Sequence, residues 1–258
     1  ITSFELEQPK TKLSKEGLAD GSVKNCLSLF SQIVNKAILW GMYKGDNPIK
    51  GVKMPVLQNQ RERFLSHKEA DSLLAELMKK SVLLHDMALL SLHCGLRAGE
   101  IFNLKGQDLD FENGLIHIAD PKNKESRKAF ITKDVKAALM KRKPESPDGH
   151  VFTDRWHGGK VIHVSSLFWR VIKDLGFNDG IKDPRQRITF HSLRHTFASW
   201  LALQGETILT IKELLGHKTL AMTARYAHLI PDHKRRATLN LEKVFNKKRT
   251  EILKTDDD

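Results

Sequence analysis

His191-Ser192-Leu193-Arg194-His195-Thr196-Phe197-Ala198 is followed by Leu214-Leu215-Gly216-His217 and then by Arg225-Tyr226-Ala227-His228. Three separate clusters of imidazole, guanidinium and phenol therefore close this chain's chemistry within forty residues. His191 and Arg194 are three residues apart, so on a helix they share a face and can reach one ligand. The chain has two tyrosines, Tyr43 and Tyr226, which makes a tyrosine just downstream of two His/Arg clusters unusual. Upstream, Arg97 stands in Cys94-Gly95-Leu96-Arg97-Ala98-Gly99-Glu100, and Lys122 stands before a hairpin turn. In order, the set is Arg97, Lys122, His191, Arg194, His217 and Tyr226. Phosphoryl transfer needs what this set supplies. Two guanidiniums bind non-bridging oxygens bidentately and meet the charge that grows in the transition state. A phenol attacks phosphorus and forms a covalent ester. A lysine or histidine protonates the departing alkoxide. Cationic side chains take the place of Mg²⁺, so no metal or cofactor is expected.

Each member also has a bland reading. Arg97 after Gly-Leu at a helix start is an ordinary solvated cap, and Lys122 in a turn is ordinarily just exposed. His191 and His195, four apart, have the spacing of a zinc pair, but no Glu follows His191 and no third ligand presents itself. His217 after Leu-Leu-Gly suits a helix C-terminus, where an imidazolium is favoured. Tyr226 alone reads as a packed aromatic. The ordered set carries the specificity.

Bulk properties agree with an anionic partner. The chain has 258 residues, enough for one large domain or two smaller ones. Its 43 basic and 31 acidic residues give a formal net charge of +12, with pI near 9.6. That excess favours nucleic acid first and an anionic membrane surface second. No run of about 18 apolar residues is present to span a bilayer. Cys26 and Cys94 are far apart, each within an apolar helical pattern, and read as buried thiols in a reducing cytosol.

Along the chain, residues 13–45 read as one helix, with Val23, Leu27, Phe30, Val34, Ala37, Ile38 and Leu39 on its apolar face. Asn47-Pro48 breaks it, and 50–63 lacks periodicity. Ser66-His67-Lys68-Glu69 is a capping-box pattern opening a helix. Residues 82–95 are apolar nearly all round, which predicts a central buried helix ending at Gly95. A helix is expected from Ala98 to Leu104. Asn113-Gly114 signals a turn, Leu115–Ile118 and Arg127–Ile131 read as strands, and 122–126 as the turn between them. Thr132 can cap a helix to Arg142, and further helices are expected near 164–175, 191–204, 207–215 and 219–229.

The ordered motifs resemble those of tyrosine recombinases of the phage integrase family. Such enzymes carry an Arg in Gly-Leu-Arg-x-x-Glu, a hairpin Lys, a His-x-x-Arg, a Leu-Gly-His and a Tyr shortly after. Here these are Gly95-Leu96-Arg97-Ala98-Gly99-Glu100, Lys122, His191-Ser192-Leu193-Arg194, Leu215-Gly216-His217 and Tyr226, nine residues after His217. The likeness runs from about residue 20 to 230. Ser192 stands where many relatives have Asp, which bears on local support more than on chemistry. Lys124 competes with Lys122 for the lysine role, and Lys122 is favoured by its place before the turn.

The resemblance implies a mainly α fold with a small antiparallel β-sheet. It divides the chain into a helical core-DNA-binding domain over 1–55, a linker over 56–63, a mixed α+β catalytic domain over 64–230 and a tail over 231–258. The tail either packs on a neighbouring protomer or folds back on its own domain. Arg97 and Arg194 would grip the scissile phosphate, and Tyr226 would attack it, leaving a 3′-phosphotyrosyl bond and a free 5′-hydroxyl. Lys122 would be the general acid. His191 would act on the tyrosine proton or the phosphate, His217 would hydrogen-bond the phosphate, and Glu100 would orient Arg97. The implied partners are double-stranded DNA at recombination sites, a tetramer of the chain and accessory DNA-bending proteins, all in the cytoplasm. A type IB topoisomerase-like nicking enzyme and a non-catalytic DNA-binding regulator are the other readings. A further arm-site-binding domain precedes this region in many integrases.

Overall fold

The computed structural model describes residues 1–57, 63–118, 126–154, 159–231 and 238. The chain forms two compact units, Ile1–Gln60 and Arg61–Asp258.

The first unit is helical. Helix α1 (Ser3–Lys15) opens with a capping box in which Thr2 accepts from the Glu5 amide and Glu5 accepts from the Thr2 amide. Helix α2 (Asp20–Leu39) follows. The single helix expected over 13–45 is therefore two, with a break between Lys15 and Asp20 that the sequence reading missed. Gly17, at φ 86°, adopts a backbone that other residues resist, and it ends α1. Gly41, at φ 70°, follows the end of α2. Leu6, Val23, Leu27, Ile49 and Val52 make this unit's core. Val23, Leu27 and Val34 are buried as the periodicity requires, but Ile38 and Leu39 lie beyond that core and are exposed. Cys26 is also exposed, correcting the expectation of a buried thiol. It flanks the stripe made by Val23, Leu27 and Val34, and so small a core does not reach it. Asn47 does more than break a helix. Its buried side chain caps the 3₁₀ turn Pro48–Gly51 and donates to Asn35 at 2.8 Å, tying that turn to α2.

The second unit holds the larger core. Ser66 and Glu69 form the expected capping box at the start of α3 (His67–Lys80). Helix α4 (Val82–Cys94) buries Leu84, Met87, Leu90 and Leu92 on several sides. It packs against α3, α6 and α8, as an all-round apolar helix must. Burying each such side chain is worth about 1.5–3 kcal/mol. Helix α5 (Ala98–Asn103) comes next. Strands β1 (Leu109–Asp110), β2 (Leu115–Ile118) and β3 (Arg127–Phe130) form an antiparallel sheet in the order β1-β2-β3, with Ile116 opposite Ala129. Gly114, at φ 67°, makes the β1–β2 turn. The expected turn over 122–126, and both Lys122 and Lys124, lie outside the described residues, as does the tail apart from Pro231 and Thr238.

Helix α6 (Lys133–Met140) starts after Thr132, whose hydroxyl meets His93 Nδ1 at 3.2 Å instead of capping the helix. Strands β4 (Thr153–Asp154) and β5 (Gly159–Lys160) form a two-stranded sheet with no counterpart in the sequence reading. Two-residue strands are too short for alternation to register. Helices α7 (Ser166–Asp174), α8 (Phe190–Leu203), α9 (Ile208–Leu215) and α10 (Leu220–Ala224) complete the unit. The helix expected over 219–229 stops at Ala224. After Arg225 and Tyr226 the chain makes a separate 3₁₀ turn, Ala227–Leu229. Among the described residues no helix is long and apolar enough to cross a membrane.

Candidate active site

Two helices end in the same way and point their ends at one place. Helix α4 closes on Gly95 (φ 65°) and α9 on Gly216 (φ 60°), both in the left-handed conformation that favours glycine. A side chain at Gly95 would also run into the Phe197 ring, and one at Gly216 into Arg127. A helix end leaves carbonyls without intrahelical partners and carries partial negative charge. Here arginines from elsewhere fill that role. Arg194, in α8, donates to the carbonyls of both Gly95 and Leu215. Arg127, in β3, donates to the Leu214 carbonyl at 2.8 Å. The αL reversals then throw Arg97 and His217 forward from the two helix ends, toward the guanidiniums that cap them.

Glu100 is the counter-charge of this floor. It accepts from Arg127 at 2.7 Å and from the Arg97 guanidinium at 2.8 Å, and lies 3.6 Å from Arg194. It also accepts from the Arg97 amide at 2.7 Å, which satisfies a backbone donor at the start of α5. Burial acts to raise its pKa, but Arg127, the Arg97 amide and Arg194 outweigh burial and hold it below the ordinary carboxylate range. Glu100 thus orients three arginines, where the sequence suggested one.

The cations differ in exposure. The Arg194 side chain is 3 % exposed, while that of Arg97 is 39 % exposed. Burial, then Arg97, pushes Arg194 down to about 9, which leaves it a cation at neutral pH. His217 is pushed down to about 4, first by burial and then by Arg194, Arg97, Arg127 and Arg225. A neutral imidazole facing four guanidiniums is a hydrogen-bonding group in a field that attracts an anion. Its Nδ1 lies 2.9 Å from the hydroxyl of buried Thr223 in α10, which fixes the ring.

Tyr226 is 5 % exposed, in the small core of Ala198, Ala202, Ile211 and Leu215. Burial raises its pKa, opposed by Arg225 and Arg194. Arg225 stacks over its ring at 5.7 Å. The phenol oxygen lies 3.0 Å from Nδ1 of His195, which is itself buried. His191, expected beside Arg194, is exposed in the first turn of α8. Ser192 accepts from the Thr189 amide at 3.0 Å in the cap of α8, a local support that fits its place in the motif.

The structure therefore brings together Arg97, Glu100, Arg194, His217 and Tyr226, sets His191 at the open edge, and leaves Lys122 outside the described residues. Sequence reasoning missed Arg127 and His195. Arg127 had a signal: it is two residues from buried Ala129 on a strand, so the two share a face. His195 was read only as half of a metal pair. Among the described residues no group of three or more His, Cys, Asp or Glu is placed to hold a metal ion.

This geometry has relatives. Residues 63–233 match the phage integrase family. The chain belongs to that family. A tyrosine recombinase of Pseudothermotoga lettingae is 32 % identical over 235 residues, 89 % of this chain and 76 % of its own length. The integrase of Escherichia phage 186 is 28 % identical over 80 % of this chain, which spans 56 % of that integrase. In fold, the integrase of the Tn1549 transposon, solved in complex with a circular intermediate DNA, superposes with a TM-score of 0.73 at 22 % identity, over 93 % of this chain and 85 % of its own. This phage-integrase-family protein is a site-specific recombinase of the tyrosine class. Its fold is mainly α with small antiparallel sheets.

Proposed function

We propose that this recombinase cuts and rejoins double-stranded DNA at specific sites through a covalent 3′-phosphotyrosine on Tyr226. The observation that carries the reading is geometric: Arg194 donates to the ends of α4 and α9, from which Arg97 and His217 emerge, and Glu100 holds Arg97 at 2.8 Å and lies 3.6 Å from Arg194. Arg97 and Arg194 bind the non-bridging oxygens of the scissile phosphate, and His217 hydrogen-bonds it. The Tyr226 oxygen attacks phosphorus, and the 5′-oxygen leaves with a proton supplied by Lys122. Rejoining is the reverse, so the phosphodiester's energy is kept in the tyrosyl ester and no high-energy cofactor is consumed. The net charge of +12 favours duplex DNA as the partner. The Tn1549 integrase was captured on DNA, which supports the same partner here.

In this reading residues 1–55 bind the core site and 64–230 carry the chemistry, within a tetrameric synapse assisted by DNA-bending proteins. The compartment is the one that holds the DNA, the cytoplasm. The test is trapping on DNA from the ends of its own genetic element, nicked beside the crossover so that religation is blocked. Mass spectrometry is expected to find nucleotide on Tyr226. Tyr226→Phe is expected to bind that DNA with affinity unchanged within about twofold and to form no adduct. Equal adduct in parent and variant removes Tyr226 as the nucleophile.

A further inference from the structure

The reaction assigned to Tyr226 needs a group to take its proton, and the sequence offered His191. The structure places a different imidazole there. His195 follows Arg194 on α8, so one helix turn carries both a cap of the phosphate pocket and the neighbour of the phenol. Its Nδ1 stands 3.0 Å from the Tyr226 oxygen, within the reach required of a general base. The two rings are 5.1 Å apart at 47°, and both residues are buried, at 6 % and 5 % exposure. Phe64 lies edge-on to the His195 ring, with centroids 6.5 Å apart. His191 lies one turn earlier, at the exposed start of the same helix. His217 has its Nδ1 committed to Thr223. We propose that His195 is a catalytic residue of this recombinase, the acceptor of the Tyr226 proton in cleavage and its donor in rejoining.

The step balances. With its own proton on Nε2, His195 presents a lone pair at Nδ1. As the phenol oxygen bonds to phosphorus, the phenol proton passes to Nδ1 and the phosphorus–O5′ bond breaks. The bond pair leaves with O5′, which takes a proton from Lys122. In rejoining, the 5′-hydroxyl returns its proton to Lys122 as its oxygen bonds to phosphorus, the bond from phosphorus to the tyrosyl oxygen breaks, and His195 returns its proton to that oxygen. Burial around Tyr226 opposes phenolate formation before DNA is in place, so removal of the proton must be timed with attack.

This inference rests on Tyr226 as the nucleophile, and the experiment separates the two. Single-turnover cleavage of the nicked element-end DNA is measured for the parent and for His195→Ala, His195→Asn and Lys122→Ala. His195→Asn keeps a hydrogen-bonding atom near the Nδ1 position but has no base. Both His195 variants are expected to cleave at least about 100-fold more slowly, with DNA binding unchanged. Added imidazole is expected to restore part of the His195→Ala rate. A DNA with sulfur in place of the 5′-bridging oxygen leaves without a proton, so it should rescue Lys122→Ala and leave the His195 variants slow. Cleavage by His195→Asn at the parental rate would show a spacer and overturn the proposal. So would rescue of the His195 variants by the sulfur substrate, or faster cleavage by His195→Ala, which would make the contact a latch. If His195→Ala fails to fold, His195→Asn alone decides. Adduct on some residue other than Tyr226 in the parent overturns the nucleophile reading itself, whatever the His195 variants do.

Discussion

Arg194 and Arg97 face one pocket, yet they are held in opposite ways. Arg194 is buried and gives one donor each to the carbonyl ends of α4 and α9, with Glu100 3.6 Å away. Arg97 is more than a third exposed, and its guanidinium meets the Glu100 carboxylate at 2.8 Å. The floor of the site is thus made of the same contacts that hold the helices together, while its rim is free to turn toward a ligand. A charge buried among carbonyls cannot be deleted without leaving them unsatisfied, whereas a rim charge can be.

The contrast is sharpest in Arg194→Ala. It is expected to lower cleavage by at least about 10³-fold and to destabilise the second unit by about 3–5 kcal/mol, read by urea unfolding, because Glu100 and two helix ends lose a partner. Arg194→Lys is expected to recover little of either, since one ammonium cannot span both carbonyls as a planar fork does. Stability unchanged in Arg194→Ala would break the distinction between floor and rim.

Glu100→Gln comes next. The folded-state pKa of Glu100 lies below its ordinary value, so its stabilisation is present above that value and is lost as pH falls through the folded one. The variant is expected to lose about 3 kcal/mol at pH 7 and to show a flatter acid limb of stability against pH. Arg97→Ala is expected to cut cleavage by about 10²-fold while its unfolding free energy stays within about 0.5 kcal/mol of the parent. A large loss of stability there would make Arg97 part of the floor.

The smallest effect concerns His217. Its folded pKa of about 4 lies below the ordinary 6.5, so the unfolded chain takes up a proton that the folded chain refuses. Stability therefore falls as pH drops from 6.5 toward 4. His217→Asn is expected to remove that part of the slope, seen by comparing urea midpoints at pH 7 and pH 4.5.

Much of this was readable in advance because it is local. The Ser66–Glu69 capping box, the all-round apolar α4 and the Asn113-Gly114 turn each depend on residues within one or two turns of chain, and each formed. The misreadings each trace to a particular residue. Arg127 went unread because it is cationic yet shares the inward face of β3 with Ala129, while apolar Phe130 is 61 % exposed. Cys26 sits among apolar neighbours but beside a core too small to cover it. The long helix expected over 13–45 ignored Gly17, whose left-handed backbone ends α1.

The sequence by itself determined the ordered set of Arg97, Glu100, His191, Arg194, His217 and Tyr226, and the glycines that end α4 and α9. Spacing along one element fixes helix faces, and a residue's own backbone preference fixes a reversal. Tertiary structure alone decided that Arg127 and Arg194 cap those two helices, that Glu100 gathers three arginines, and that Tyr226 meets His195 while His191 stays exposed. Apart from Arg97 with Glu100, which are neighbours on one helix turn, those pairings join residues from 21 to 99 positions apart. The orphan carbonyls of one helix are filled by whatever side chain another element carries into range, and no local pattern records that approach.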